Sequence, residues 1–299
     1  MPANARLPDP PDAPGLAARV LAAGMLALGR FPLGALRGMG AVLGVVVFAA
    51  SAAYRRKVLA NLARAGLTQP LMAWRAAAGA GRTLLELPWL WSRPPDALAD
   101  RVRCADIAVL EAAEAEGRGI LFLTPHLGAF DATARWYAGR APITVMFREP
   151  HKPWLRPLVR RSRNVDGMRA VPAAMAGVRG MLRALRAGEA VGILPDQVPG
   201  EGEGEWAPFF GEPAWTMTLP QRLARTSGAA VILAVGEQIP GGWRLHLWRF
   251  DGEPAPSALN GWMEGLILRW PDQYLWGYNR YKRPRRAAST GRQPDGRQE

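Results

Sequence analysis

The chain has 299 residues, enough for one large domain or two modest ones, and a 49% hydrophobic content supplies a sizeable core. A single cysteine, Cys104, excludes internal disulfides and any thiolate metal cluster built within the chain. The 38 Lys and Arg against 25 Asp and Glu leave a formal charge of +13, a surface that attracts nucleic acid, anionic lipid headgroups or an acidic protein without choosing among them.

Residues 1–14 read as a flexible Pro-rich tail, and residues 15–54 as a membrane-associated hydrophobic segment. Within that segment Gly38 to Tyr54 carries no charge, and Arg55-Arg56-Lys57 follows at once, a cluster that the positive-inside rule keeps cytoplasmic. A spanning helix needs about 20 apolar residues. This stretch is shorter, and Gly38, Gly40 and Gly44 weaken it. An embedded or interfacial anchor is one reading, and a buried helical hairpin of a soluble domain is the other. The Pro-rich start and the lack of a clear cleavage site argue against a secretory signal.

Residues 55–287 read as one catalytic unit, with a disordered tail at 288–299. Ala and Leu spacing predicts helices over 57–67 and 70–91, and a short helix from Asp106 ends at Gly117. Short apolar runs predict strands at 119–125, 142–147, the EAVGILPDQ segment ending at Asp196, and 229–235, with a half-exposed fifth at 243–250. Helices are predicted after Phe130, over 171–188 and over 216–228. The Gly/Glu-rich segment 199–206 reads as a loop, a candidate lid, followed by apolar APFFG. Alternating strands and helices imply an α/β fold with a mixed, largely parallel sheet flanked by helices.

Sites in such sheets gather at the carboxyl ends of strands. Pro125-His126, Arg148 and Asp196-Gln197 all lie just past a predicted strand. His126 and Asp131 are five apart, too far round a straight helix to meet, but a strand-to-helix turn using Pro125 and Gly128 could bring them together. An aspartate on Nδ1 would leave Nε2 free to take a proton from a hydroxyl; a structural histidine is the alternative. There is no G-x-S-x-G elbow, Cys104 reads as a packing residue, and three scattered histidines offer no metal-ligand spacing. A base with no nucleophile beside it suggests direct attack by the substrate's own hydroxyl. Residues 147–163 interleave Arg148, Lys152, Arg156, Arg160, Arg161 and Arg163 with Trp154 and Leu155, a pattern suited to a phosphate-bearing amphiphile.

HLGAFD (126–131) fits the H-x4-D/E motif of lysophospholipid-type acyltransferases. More narrowly, the chain resembles the late (lauroyl/myristoyl) acyltransferases of lipid A biosynthesis from about Arg55 to Pro284. RRKVLANLARAGL, FRE-P, LPDQ, PFFG and QYLWGYNRYKRP carry the resemblance, in that order. It implies His126 as general base with Asp131 as its partner, Arg163 and Asp196 in the same catalytic set, and Arg148, Arg161, Gln197, Phe209 and Phe210 on the substrate. It also implies an acyl carrier protein thioester as donor and a phosphorylated glycolipid or lysolipid as acceptor. No cofactor, metal or nucleic acid is implied, and the site faces the cytoplasm from the inner membrane. A lysophospholipid or aminolipid acceptor is the alternative within this chemistry. A non-catalytic membrane- or nucleic-acid-binding protein is the alternative outside it. Trp276-Gly277-Tyr278-Asn279-Arg280-Tyr281-Lys282 stands where many members read W-x-H-R-R-F-K.

Overall fold

Short runs of β-branched and apolar residues, each closed by Gly, Pro or a polar turn, form the centre of the molecule. The structure is a computed structural model that describes residues 15–147 and 156–284. Seven strands make one sheet in the order β1-β9-β8-β2-β5-β3-β4. These are β1 Val102–Cys104, β2 Ile120–Leu123, β3 Ile143–Phe147, β4 Met168–Pro172, β5 Ala190–Ile193, β8 Ala230–Ile239 and β9 Gly242–Arg249. The pairing is parallel except at the β8–β9 hairpin, so the sheet is mixed and largely parallel as expected. Every residue of β2 and β5 is buried, the pattern of strands covered on both faces.

Leu121, Leu123, Val191 and Leu233 point to one face, packing with α8 (Met175–Arg186), α9 (Leu219–Ser227) and α10 (Pro256–Arg269). Ile120, Phe122 and Ile232 point to the other, toward α5 (Ile107–Ala115) and α6 (Phe130–Ala138). The helix predicted over 171–188 begins four residues later because Val171 and Pro172 complete β4. The loop expected at 199–206 spans 199–203, and the segment after it is not loop: β6 (Gly204–Phe209) and β7 (Glu212–Met217) form an antiparallel hairpin. Phe210 and Gly211 turn it with positive φ values of 49° and 77°, the two-residue turn that suits strand twist. Asn260 of α10 pins the hairpin by donating to the Pro208 carbonyl (2.9 Å) and the Thr216 hydroxyl (3.0 Å).

The hydrophobic N-terminal segment forms α1 (Leu16–Leu28) and α2 (Leu33–Ala50), followed by α3 (Ala52–Arg64) and α4 (Pro70–Trp91). Leu33, Leu36, Gly40 and Phe48 recur at helical spacing on the buried side of α2. Gly40 and Gly44, which weaken α2 as an isolated helix, let it lie directly on α4: a Cβ at either would collide with the backbone at Gly81 or Ala77. Arg37 reaches from α2 into the domain, pairing with Glu86 (2.9 Å) and donating to the carbonyls of Ile239 (2.6 Å) and Gly242 (3.0 Å) at the β8–β9 turn. The opposite side of α2 exposes Met39, Val42, Leu43, Val46 and Val47.

Candidate active site

His126 sits in the turn between β2 and α6, past the carboxyl end of a central strand. Gly128 takes φ 59°, and any side chain there would collide with the Gly236 carbonyl. Backbone bonds from Gly128 to Gln273 O (2.9 Å), from Ala129 to Gly236 O (2.7 Å) and from Leu275 to His126 O (3.2 Å) fasten the turn to β8 and to the C-terminal segment.

The partner of His126 is Asp196, just past β5. Its Oδ1 lies 2.7 Å from Nδ1, and its Oδ2 accepts the His126 backbone N–H at 2.9 Å. Burial works to raise the Asp196 carboxyl, but His126, through its charge and two hydrogen bonds, and Arg280 outweigh it and hold the group below the usual carboxylate range. An ionised carboxylate can only accept, so Nδ1 carries the proton that faces it, and in the neutral imidazole Nε2 is the lone-pair nitrogen. The Gln197 amide lies 3.1 Å from Nε2 and donates to it.

The expected pairing of His126 with Asp131 is corrected here. Asp131 lies in the first turn of α6, and its carboxylate faces away along the helix. Oδ1 meets Arg163 at 3.0 Å; Oδ2 accepts from the Trp91 indole at 2.8 Å and sits 3.4 Å from Arg135. Burial pushes the Asp131 carboxyl up, and the Arg163 and Arg135 guanidiniums and the indole more than offset that, leaving it below its ordinary value. Arg135 is completely buried and also donates to the Arg93 carbonyl (3.3 Å) and to that of Ser162 in α7 (Arg156–Arg163). Asp131 thus anchors Arg163 rather than the imidazole.

Imidazole and guanidinium meet again at one cavity of about 450 Å³, where His126, Arg163 and Gln197 form the polar side together with Glu203 and Arg222. Its wall is apolar: Met146, Val178, Leu194, Met217 and Leu219. Behind His126, the C-terminal segment closes the site. Tyr274 is fully buried and hydrogen-bonds Asp196; burial, then the Asp196 charge, raise its phenol well above the ordinary value. Arg280, buried beneath Phe209, donates to Trp215 O (2.7 Å) and the Thr216 hydroxyl (2.6 Å). Tyr278 accepts the Val198 N–H at 2.9 Å, and Asn61 of α3 donates to the Trp276 and Tyr278 carbonyls.

A family model described as bacterial lipid A biosynthesis acyltransferase matches residues 15–283. The chain belongs to that family. Among similar curated proteins, the Escherichia coli lipid A biosynthesis palmitoleoyltransferase is 28% identical over 211 residues, 68% of each chain. The lauroyltransferase of the same organism is 27% identical over 215 residues, covering 68% of this chain and 69% of its own. A lipid A biosynthesis acyltransferase of Haemophilus influenzae is 28% identical over 180 residues.

For a lipid A acyltransferase, the gathered residues are His126, Gln197 and Arg163 around the cavity, with Asp196 behind His126 and Asp131 behind Arg163. Arg161 is exposed on α7 and does not line the cavity, and Arg148 lies outside the described residues. Phe209 is a core residue at 2% exposure and Phe210 packs against it at the hairpin turn; neither lines the cavity. Cys104 is half-buried, its thiol raised by burial, consistent with packing. His246 packs between Trp248 and Trp270 and meets Glu237 at 2.9 Å. Trp91, Arg135, Tyr274 and Arg280 were missed as site-supporting residues. The one sequence signal for the last two is the dense aromatic segment 274–281.

Proposed function

We propose that this protein transfers a fatty acyl group from an acyl carrier protein thioester to a hydroxyl of a lipid A precursor, at the inner membrane with the catalytic domain on its cytoplasmic side. One observation carries the reading: an imidazole with its lone pair fixed by a buried carboxylate opens onto an apolar cavity beside a guanidinium, in a chain of this family.

The acceptor hydroxyl displaces the Gln197 amide from Nε2 of His126. Nε2 takes the hydroxyl proton as the oxygen bonds to the thioester carbonyl carbon, and Asp196 stabilises the imidazolium. Collapse of the tetrahedral intermediate breaks the C–S bond, and the departing sulfur receives the proton from Nε2. No acyl-enzyme forms. The developing oxyanion needs donors. The amides of 126–129 are already engaged, with Asp196, Pro125 O, Gln273 O and Gly236 O respectively. Arg163, held by Asp131 and lining the cavity with His126, is the donor this reading assigns. The exposed face of α2 seats in the bilayer, bringing the cavity to the lipid acceptor.

The test is transfer of labelled acyl chains in membranes, with the product identified by mass spectrometry. His126→Ala should abolish transfer, and Asp196→Asn should lower kcat by about 10²–10⁴-fold with folding intact. Near-wild-type turnover in His126→Ala would refute the mechanism. A labelled lysophospholipid or aminolipid in place of acylated lipid A would refute the acceptor.

A further inference from the structure

Arg179, Arg183 and Arg186 are spaced i, i+4 and i+7 on α8, so they stack down one face over about 10 Å. All three are exposed, and none has a carboxylate partner among the described residues. The row starts at the cavity: Met175 and Val178, in the first turns of α8, line its wall, and Arg222 of the adjacent α9 stands at the same rim. Elsewhere on the surface, Arg225 has a carboxylate partner in Glu253 (3.1 Å) and Arg140 has one in Glu114 (2.7 Å). A like-charged row left unpaired beside a cavity mouth is unfavourable in isolation and favourable once an anionic partner covers it.

The surface divides its two kinds of stickiness. The large exposed apolar residues cluster on α1, α2 and α4, and α2 carries no charged residue beyond Arg37. On α8 and α9 the only exposed large apolar residue among those described is Met175, at the cavity edge. A bilayer-seating face needs apolar residues to insert. The α8 row has cations without insertion, which fits the rigid surface of an acidic protein better than it fits lipid.

We propose that the α8 arginine row is the docking surface for an acidic helical carrier protein, which lays an acidic helix along Arg179, Arg183 and Arg186 and threads its thioester arm past Met175 into the cavity. This rests on the acyl-transfer reading above. Charge complementarity fixes the carrier's register, and the chemistry stays with His126 and Arg163.

The experiment compares wild type with the Arg179→Gln/Arg183→Gln/Arg186→Gln protein and the corresponding triple Glu variant, after circular dichroism has verified equal helix content. Each receives the same long acyl chain on acyl carrier protein or on coenzyme A, with acceptor lipid in detergent. The KM for the carrier-bound donor should rise about tenfold in the Gln protein and further in the Glu protein, and KM for the acyl-coenzyme A donor and for acceptor should stay within about twofold. The wild-type KM for carrier should also weaken with salt. Carrier binding is titrated separately by fluorescence anisotropy. Unchanged carrier binding in the Glu protein overturns the docking surface, as does an equal loss with both donors or a raised acceptor KM, either of which would assign the row to lipid or coenzyme phosphate. A wild type that transfers from neither donor defeats the acyl-transfer reading instead, and the binding titration still decides the surface.

Discussion

Two buried aspartates serve two different basic groups. Asp196 holds an imidazole and Asp131 holds a pair of guanidiniums, and both are kept ionised by what they touch. Removing the Asp131 charge strands Arg135, which has no exposure to water. Asp131→Asn should therefore cost about 3–5 kcal/mol in denaturant unfolding, the range for breaking a buried pair. The same linkage sets an acid limb. A carboxyl whose folded pKa lies below its unfolded value of about 3.9 stabilises the fold above that pH and stops doing so as pH falls through the folded value. Unfolding free energy should be insensitive to Asp131 near neutrality and fall below about pH 4, and the Asn variant should lose much of that slope. Arg163→Ala, which removes the assigned oxyanion donor, should lower kcat by about 10²–10³-fold with a smaller effect on the KM for donor. An effect on KM alone would make Arg163 a binding group.

At the scale of elements, α2 is a helix with two apolar sides and two destinations. Its inner side fits α4 through close backbone contact, so Gly44→Val should push the helices apart and cost about 1–3 kcal/mol, read as a lower Tm. The outer side faces no protein among the described residues. Val42→Asp with Val46→Asp should leave Tm nearly unchanged and abolish flotation with phospholipid vesicles, because charged groups resist insertion. The strands β2 and β5 were legible because they are short, apolar and sharply bounded, whereas β8 was read only over its apolar 229–235 and runs on through the half-buried Glu237-Gln238 to Ile239. The β6–β7 hairpin was not: Pro208 faces Pro213 across it, and Phe-Gly rather than Asn-Gly makes its turn. The strand β4 was hidden because Met168–Pro172 merges with the approach to α8.

For the whole molecule, local order along the chain was enough to read the α/β class, the position of His126 just past a strand, and the family resemblance. Periodicity and turn residues are short-range signals, and the resemblance rides on short ordered motifs. Which carboxylate meets which base was decided elsewhere. Asp131 is five residues from His126 yet turned away by the start of α6, while Asp196 is 70 residues distant and adjacent because β2 and β5 are neighbours in the sheet. Sheet order brings strand ends together irrespective of sequence separation, so the pairing at the site could be read only once the fold was known. The same holds for Arg37, whose bonds to Glu86 and to the Ile239 and Gly242 carbonyls tie α2 to the domain.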